Sequence, residues 1–140
     1  MTFETDLHKG IFIEKEVLLN LKKKYPSAVL VDAFKGYDIW IPELNFGVEV
    51  KYDKMSNETG NIVLEYEFNG KDSGLLTTTA AYWVIYDGVF FKWFKPAQII
   101  KCIFDSKKNH SVFVGNGDRA SKKAFLISKK FLFDNYSEKL

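Results

Sequence analysis

Asp38-Ile39-Trp40-Ile41-Pro42-Glu43-Leu44-Asn45-Phe46-Gly47-Val48-Glu49-Val50-Lys51 is a pair of apolar runs interrupted by a proline and punctuated by acids. The pattern predicts two short strands joined by a turn around Pro42 to Asn45, with Asp38 opening the first and Glu49 and Lys51 near the end of the second. Side chains alternate across a strand, so Val48 and Val50 face one way and Glu49 and Lys51 the other. An acid and an amine then share a face beside a strand that begins with another acid. Two carboxylates converging beside a lysine can hold a divalent cation and keep an ammonium near the water to be activated. By itself a Glu-x-Lys pair also describes an ordinary solvated strand face.

Upstream, Thr5 and Asp6 form a helix start, and Leu7, Ile11, Val17, Leu18 and Leu21 fall on one stripe at about 100° per residue. The helix ends by Tyr25, before Pro26, with Lys22 to Lys24 placed against its C-terminus. The same count places Glu14 in the centre of the apolar stripe, whereas Glu16 faces water. A carboxylate there needs a partner, either a core tyrosine or lysine or a polar pocket of the sheet on which the helix packs. Ala28 to Phe34 is β-branched and predicts a strand, with Lys35-Gly36 as the turn into Asp38.

Downstream, Lys54 to Gly60 reads as a polar loop and Asn61 to Phe68 as a strand with Val63, Glu65 and Glu67 on one face. Asn69-Gly70 is a turn signal, Ser73 to Ala81 is ambiguous, and Tyr82 to Tyr86 with Val89 to Phe94 around Asp87-Gly88 predicts a hairpin. Pro96 opens a helix to about Asp105 with Ile99, Ile100 and Ile103 as its buried face. Ser111 to Val114 and Ala124 to Ser128 read as further strands, followed by a short terminal turn or helix from Lys129 to Asp134. The hairpin aromatics Trp83, Phe90, Phe91, Trp93 and Phe94 are read as core or dimer surface, and His8 and His110 as surface residues.

The chain has 140 residues, 46% of them hydrophobic and 27% charged, which fits one globular α/β domain spanning 1–140. A net charge of +2 neither requires nor excludes nucleic acid. The lone Cys102 rules out an internal disulfide and a cysteine-based zinc site. With no apolar run long enough to span a bilayer and no signal-like N-terminus, the expectation is a cytoplasmic protein without a membrane partner.

The order helix, three strands, connecting segment, strand, with Glu14, Asp38, Glu49 and Lys51 in sequence, resembles the PD-(D/E)xK nuclease superfamily. Within it, Lys9-Gly10-Ile11-Phe12-Ile13-Glu14 is similar to the Lys-Gly-x-x-x-Glu opening of archaeal Holliday junction resolvases. Gly36-Tyr37-Asp38 and Glu49-Val50-Lys51 match their Asp and Glu-x-Lys elements, with Tyr37 where the superfamily's name has Pro. Glu65 through Trp83 is similar to small predicted nucleases of bacteriophages, for which the compartment is the host cytoplasm. The resemblance implies a restriction-endonuclease-like, three-layer core with a mixed central sheet flanked by helices. It implies a Mg²⁺- or Mn²⁺-dependent endodeoxyribonuclease that hydrolyses phosphodiester bonds to a 5′-phosphate and a 3′-hydroxyl. Its substrate would be DNA, branched DNA for a structure-selective enzyme of recombination, and a homodimer would cut both strands of a junction. A sequence-specific or nonspecific duplex nuclease, or an inactive nucleic-acid-binding module on the same fold, are the alternatives.

In that resemblance Asp38, Glu49 and the backbone carbonyl of Val50 hold the metal, Glu14 binds it directly or through water, and Lys51 orients or deprotonates the attacking water. Lys9, Lys35, Lys54 and Lys71 are candidate phosphate contacts, and Ser73, Thr78 and Thr79 candidate donors to a DNA backbone. For each of these a solubilising or helix-capping role is the competing reading.

Overall fold

The computed structural model describes residues 3–31, 36–106, 110–114 and 122–138, with the backbone course alone for residues 3–9 and 110–114. The first helix, α1 (Phe3–Lys22), is followed by β1 (Val29–Leu30), β2 (Ile39–Ile41) and β3 (Phe46–Tyr52). Then come α2 (Ser56–Thr59), β4 (Asn61–Phe68), β5 (Lys71–Asp72), a 3₁₀ turn (Gly74–Leu76), β6 (Tyr82–Tyr86) and β7 (Phe91–Phe94). The chain closes with α3 (Pro96–Asp105), β8 (His110–Val114), β9 (Lys122–Ser128) and α4 (Lys129–Tyr136).

These elements make an α/β fold with a mixed five-stranded sheet in the order β1-β2-β3-β6-β7, in which β3 and β6 run parallel and the other neighbours antiparallel. α1 covers one face, where Val17 and Leu21 meet Ile39, Ile41, Val48 and Val84. On the other face Trp83, Ile85 and Phe94 pack with Ile99, Cys102 and Ile103 of α3 and Leu132 and Phe133 of α4. Helices therefore flank the sheet on both sides, the arrangement of a three-layer core.

A second, antiparallel sheet, β5-β4-β9-β8, has no counterpart in the expected central sheet. The Asn61 to Phe68 strand belongs to it and not to the sheet that holds Glu49. Its residues Ile62, Leu64 and Ile127 are buried in the same cluster as Trp83, so this sheet helps to close the second face of the first.

Local chemistry explains where elements stop. The hairpin strand expected from Val89 begins only at Phe91, because the Asp87 carboxylate accepts the N–H groups of Val89 and Phe90, each at 2.8 Å. Asp87 is 2% exposed, and burial would raise its pKa. The two N–H donors and the Lys129 ammonium at 3.1 Å outweigh burial and hold it below the ordinary value. In the Lys54 to Gly60 loop, the Asp53 carboxylate takes the Ser56 N–H and one helical turn forms before Gly60 ends it. Asn69 and Gly70 both have positive φ, 50° and 78°, the geometry of a type I′ hairpin turn between β4 and β5.

Two burial assignments differ from the periodicity. In α1 the buried row is Ile13, Val17 and Leu21, four residues apart, while Ile11 is exposed. The helix has turned so that Glu14 lies on the flank of this row, half-buried, instead of at its centre. In α3, Cys102 is buried and Ile100 exposed, because the face that meets α4 and β9 is the one through Ile99, Cys102 and Ile103.

Candidate active site

The β2-β3 ladder ends at the Ile39↔Val48 pair. One residue earlier, Asp38 still donates its N–H to the Val48 carbonyl at 2.9 Å, and its carboxylate Oδ2 accepts the Val50 N–H at 2.8 Å. The side chain thus replaces the strand that has stopped, satisfying a β3 donor that would otherwise lack a ladder partner. This fixes the Asp38 carboxylate at the edge of β3, on the same face as Glu49.

The opening beside this edge is where α1 delivers its acid. Gly10, Ile13, Glu14, Asp38, Glu49, Val50 and Tyr52 line one small cavity of about 150 Å³. Lys51 stands at its margin, with Nζ 3.7 Å from Glu49 Oε1 and 5.3 Å from the centre of the Trp83 ring. Trp83 lies under this pair because the parallel register sets it opposite Glu49. Its indole N–H donates to Thr78 Oγ1 at 3.0 Å.

Burial pushes the Glu49 carboxyl up to about 7; the Lys51 ammonium opposes the rise, and the Asp38 and Glu14 carboxylates add to it. Glu49 therefore binds its proton more tightly folded than unfolded. Between its ordinary value of 4.5 and about 7, native Glu49 holds the extra proton, so its contribution to stability falls as pH rises. The loss is on the order of 1–3 kcal/mol and is complete above the folded value. Unfolding in EDTA from about pH 5 to about pH 8 should show that slope in the parent and a flatter one in Glu49→Gln, with the variant the more stable at the alkaline end. Identical slopes would mean that Glu49 is not held protonated in the folded protein.

The donor set fits a hard divalent cation: the Asp38 carboxylate just before β2, the Glu49 carboxylate and Val50 main-chain carbonyl on β3, and the Glu14 carboxylate on α1. Among the described residues no three acidic, histidine or cysteine side chains are already drawn together as a cage. Glu49 and Asp38 are in side-chain contact and Glu14 lies close enough to raise the Glu49 pKa, a crowding of like charge that a cation would relieve.

Gly47 serves this site indirectly. A Cβ on it would land inside the Tyr37 ring, which packs over β3 and stacks on Trp40 with ring centres 5.6 Å apart. Gly47→Ala should displace Tyr37, the neighbour of Asp38, and cost about 1–3 kcal/mol. Urea unfolding would check it, an unchanged midpoint being the contrary result.

The structure thus gathers Glu14, Asp38, Glu49, Val50 and Lys51 in one place. The expected phosphate contacts are scattered. Lys71, Ser73 and Thr79 line a different groove, Thr78 is engaged by Trp83, and Lys54 is exposed after β3 and lines neither cavity. Ser73 donates to Glu65 at 2.9 Å, and Glu67 pairs with Lys123 at 3.3 Å. The Lys9 and His110 side chains and all of Lys35 lie outside the described residues, as does the His8 side chain. Tyr52 and Trp83 escaped the sequence reading as site residues: alternation puts Tyr52 on the face of Val48 and Val50, yet it lines the cavity, and Trp83 joins only through the parallel pairing with β6. Compared with protein-family models, curated proteins and solved structures, the chain matches none. No helix among the described residues is long and apolar enough to cross a membrane.

Proposed function

We propose that this chain is a metal-dependent DNA endonuclease that hydrolyses phosphodiester bonds, acting by structure more than by sequence. The observation that carries the reading is the cavity at the end of β2. Acids from three separate elements meet there, beside a lysine two residues from one of them, at the positions where the resemblance to PD-(D/E)xK nucleases expects them.

Asp38, Glu49 and the Val50 carbonyl would hold Mg²⁺ or Mn²⁺, with Glu14 joining directly or through water. When bound, such an ion polarises the phosphoryl oxygen and lowers the pKa of water. The protein's own part is positioning. Asp38 is anchored through one oxygen by the Val50 N–H, and its side chain is hydrogen-bonded to Glu49. Burial raises the Glu49 pKa, Lys51 opposes the rise, and the neighbouring acids add to it, so a charge placed beside it shifts its protonation. Lys51 is held between Glu49 and the Trp83 ring, where its ammonium can orient a water or stabilise charge on a phosphate oxygen. In the hydrolysis the water oxygen bonds to phosphorus, the bond to the 3′ oxygen breaks, and the products are a 5′-phosphate and a 3′-hydroxyl.

The test is cleavage of end-labelled four-way junction, flap, linear duplex and single-stranded DNA with Mg²⁺, Mn²⁺ or EDTA. Metal-dependent cutting that favours the branched substrates supports the proposal. Equal cutting of linear duplex would replace structure selectivity with a duplex nuclease. Failure to cut any substrate would leave only a nucleic-acid-binding module.

A further inference from the structure

The largest of the grooves described lies away from the acids. It has a volume of about 620 Å³ and is lined by Gly36, the β4-β5 hairpin, Gly74 and the threonines Thr77 and Thr79. Two connections tie it to the acidic cavity. Gly36 is two residues from Asp38 in the chain. On the other side Lys51 rests on Trp83, Trp83 donates to Thr78, and the residues flanking Thr78 line the groove.

At the hairpin end, three strands bring three residues into register. Phe68 of β4 pairs with Lys71 of β5 and with Lys122 of β9, so all three point to the same face, as directly opposed residues must. Phe68 is 39% exposed, and Lys122 Nζ lies 5.6 Å from its ring centre. Among the described residues neither Lys71 nor Lys122 is held in an ion pair, in contrast to Lys123 on the opposite face, which pairs with Glu67. The groove also carries two acids: Glu65 is occupied by the Ser73 hydroxyl, and Asp72 follows Lys71 and is exposed. An exposed aromatic ring flanked on both sides by lysines matches a nucleotide with an unpaired base. The ring offers a π face, over which the Lys122 ammonium now lies and from which a base would move it toward the phosphates, while Lys71 comes from the neighbouring strand on the other side. A paired base in a duplex has both faces covered by its neighbours and cannot use the ring.

We propose that Phe68, Lys71 and Lys122 form a platform that binds an unpaired nucleotide of a DNA strand and leads that strand along the groove to the acidic cavity. The proposal rests on the nuclease reading for its purpose, and it names the substrate class: DNA with an unstacked base near the cleaved bond.

The full chain would be tested in EDTA, where binding is separated from cutting. The probes are a short single strand and a bulged duplex carrying 2-aminopurine, and the fully paired duplex of the same sequence. Phe68→Leu, which keeps the apolar volume and loses the π face, should weaken single-strand and bulge binding about 10-fold and abolish the fluorescence change on binding. Its affinity for the paired duplex should be unchanged. Lys71→Gln and Lys122→Gln should each lower the slope of log affinity against log salt by about 0.7 for the single strand. Thermal unfolding of each variant confirms that it is folded. A parent that binds paired duplex as well as bulged DNA, or binds no DNA, overturns the platform, as does a folded Phe68→Leu that binds like the parent. Platform binding without metal-dependent cutting would keep this inference and defeat the nuclease reading. Cutting that ignores Phe68 would do the reverse.

Discussion

Lys51→Met and Asp38→Asn should each lower metal-dependent DNA cleavage roughly 10²- to 10⁴-fold, the range for losing a positioned proton-transfer or charge-stabilising group. Both substitutions are chosen to spare the fold. Methionine keeps an apolar stem of similar length against the Trp83 ring and removes only the ammonium. Asparagine keeps a carbonyl oxygen to accept the Val50 N–H, the bond that closes the edge of β3, and removes only the negative charge. Alanine at Asp38 would orphan a backbone donor and confuse instability with lost chemistry. The measurement is single-turnover cleavage of the preferred DNA, beside thermal unfolding of each variant. A folded Lys51→Met that cuts at the parental rate would remove the lysine from the chemistry. Retained cutting by Asp38→Asn would mean that the Asp38 carboxylate is there to close the strand edge.

Trp83→Ala should be the most destabilising single change at the base of the site, by roughly 3–5 kcal/mol. Trp83 is 1% exposed, belongs to the cluster shared by both sheets and the last two helices, and satisfies its one polar atom on Thr78. Removing it opens a cavity between layers and withdraws the support under Lys51. Trp83→Phe separates the two contributions. It keeps most of the buried surface but loses the indole N–H, so it should cost far less than alanine, with part of its cost coming from Thr78. Urea unfolding of both variants checks the ranking, and equal losses would mean that the hydrogen bond, not packing, dominates.

Much of the site was legible without the structure, for reasons of short range. Alternation in β3 put Glu49 and Lys51 on one face because strand geometry has period two. Helical periodicity separated Glu14 from Glu16, although the helix face is rotated enough to leave Ile11 in water and Glu14 at the rim. The positive φ values at Asn69 and Gly70 and the proline-led start of α3 also follow from residues that touch their own neighbours in sequence.

Pairing between strands is a different matter. The hydrogen-bonding edge of every strand is the same backbone, so local pattern does not say which strand it meets. Asn61 to Phe68 reads as a strand whose pattern names no partner, and it pairs antiparallel with Lys122–Ser128 in a second sheet. That choice puts Phe68 between Lys71 and Lys122, and the parallel pairing of β3 with β6 puts Trp83 beneath Lys51. The sequence by itself determined most of the elements, the tight turns and that Glu49 and Lys51 share one strand face. Only the tertiary structure decided that Glu14 of α1, Asp38 just before β2 and Glu49 of β3 share one cavity and what surrounds it, because those contacts are settled by burying two cores at once.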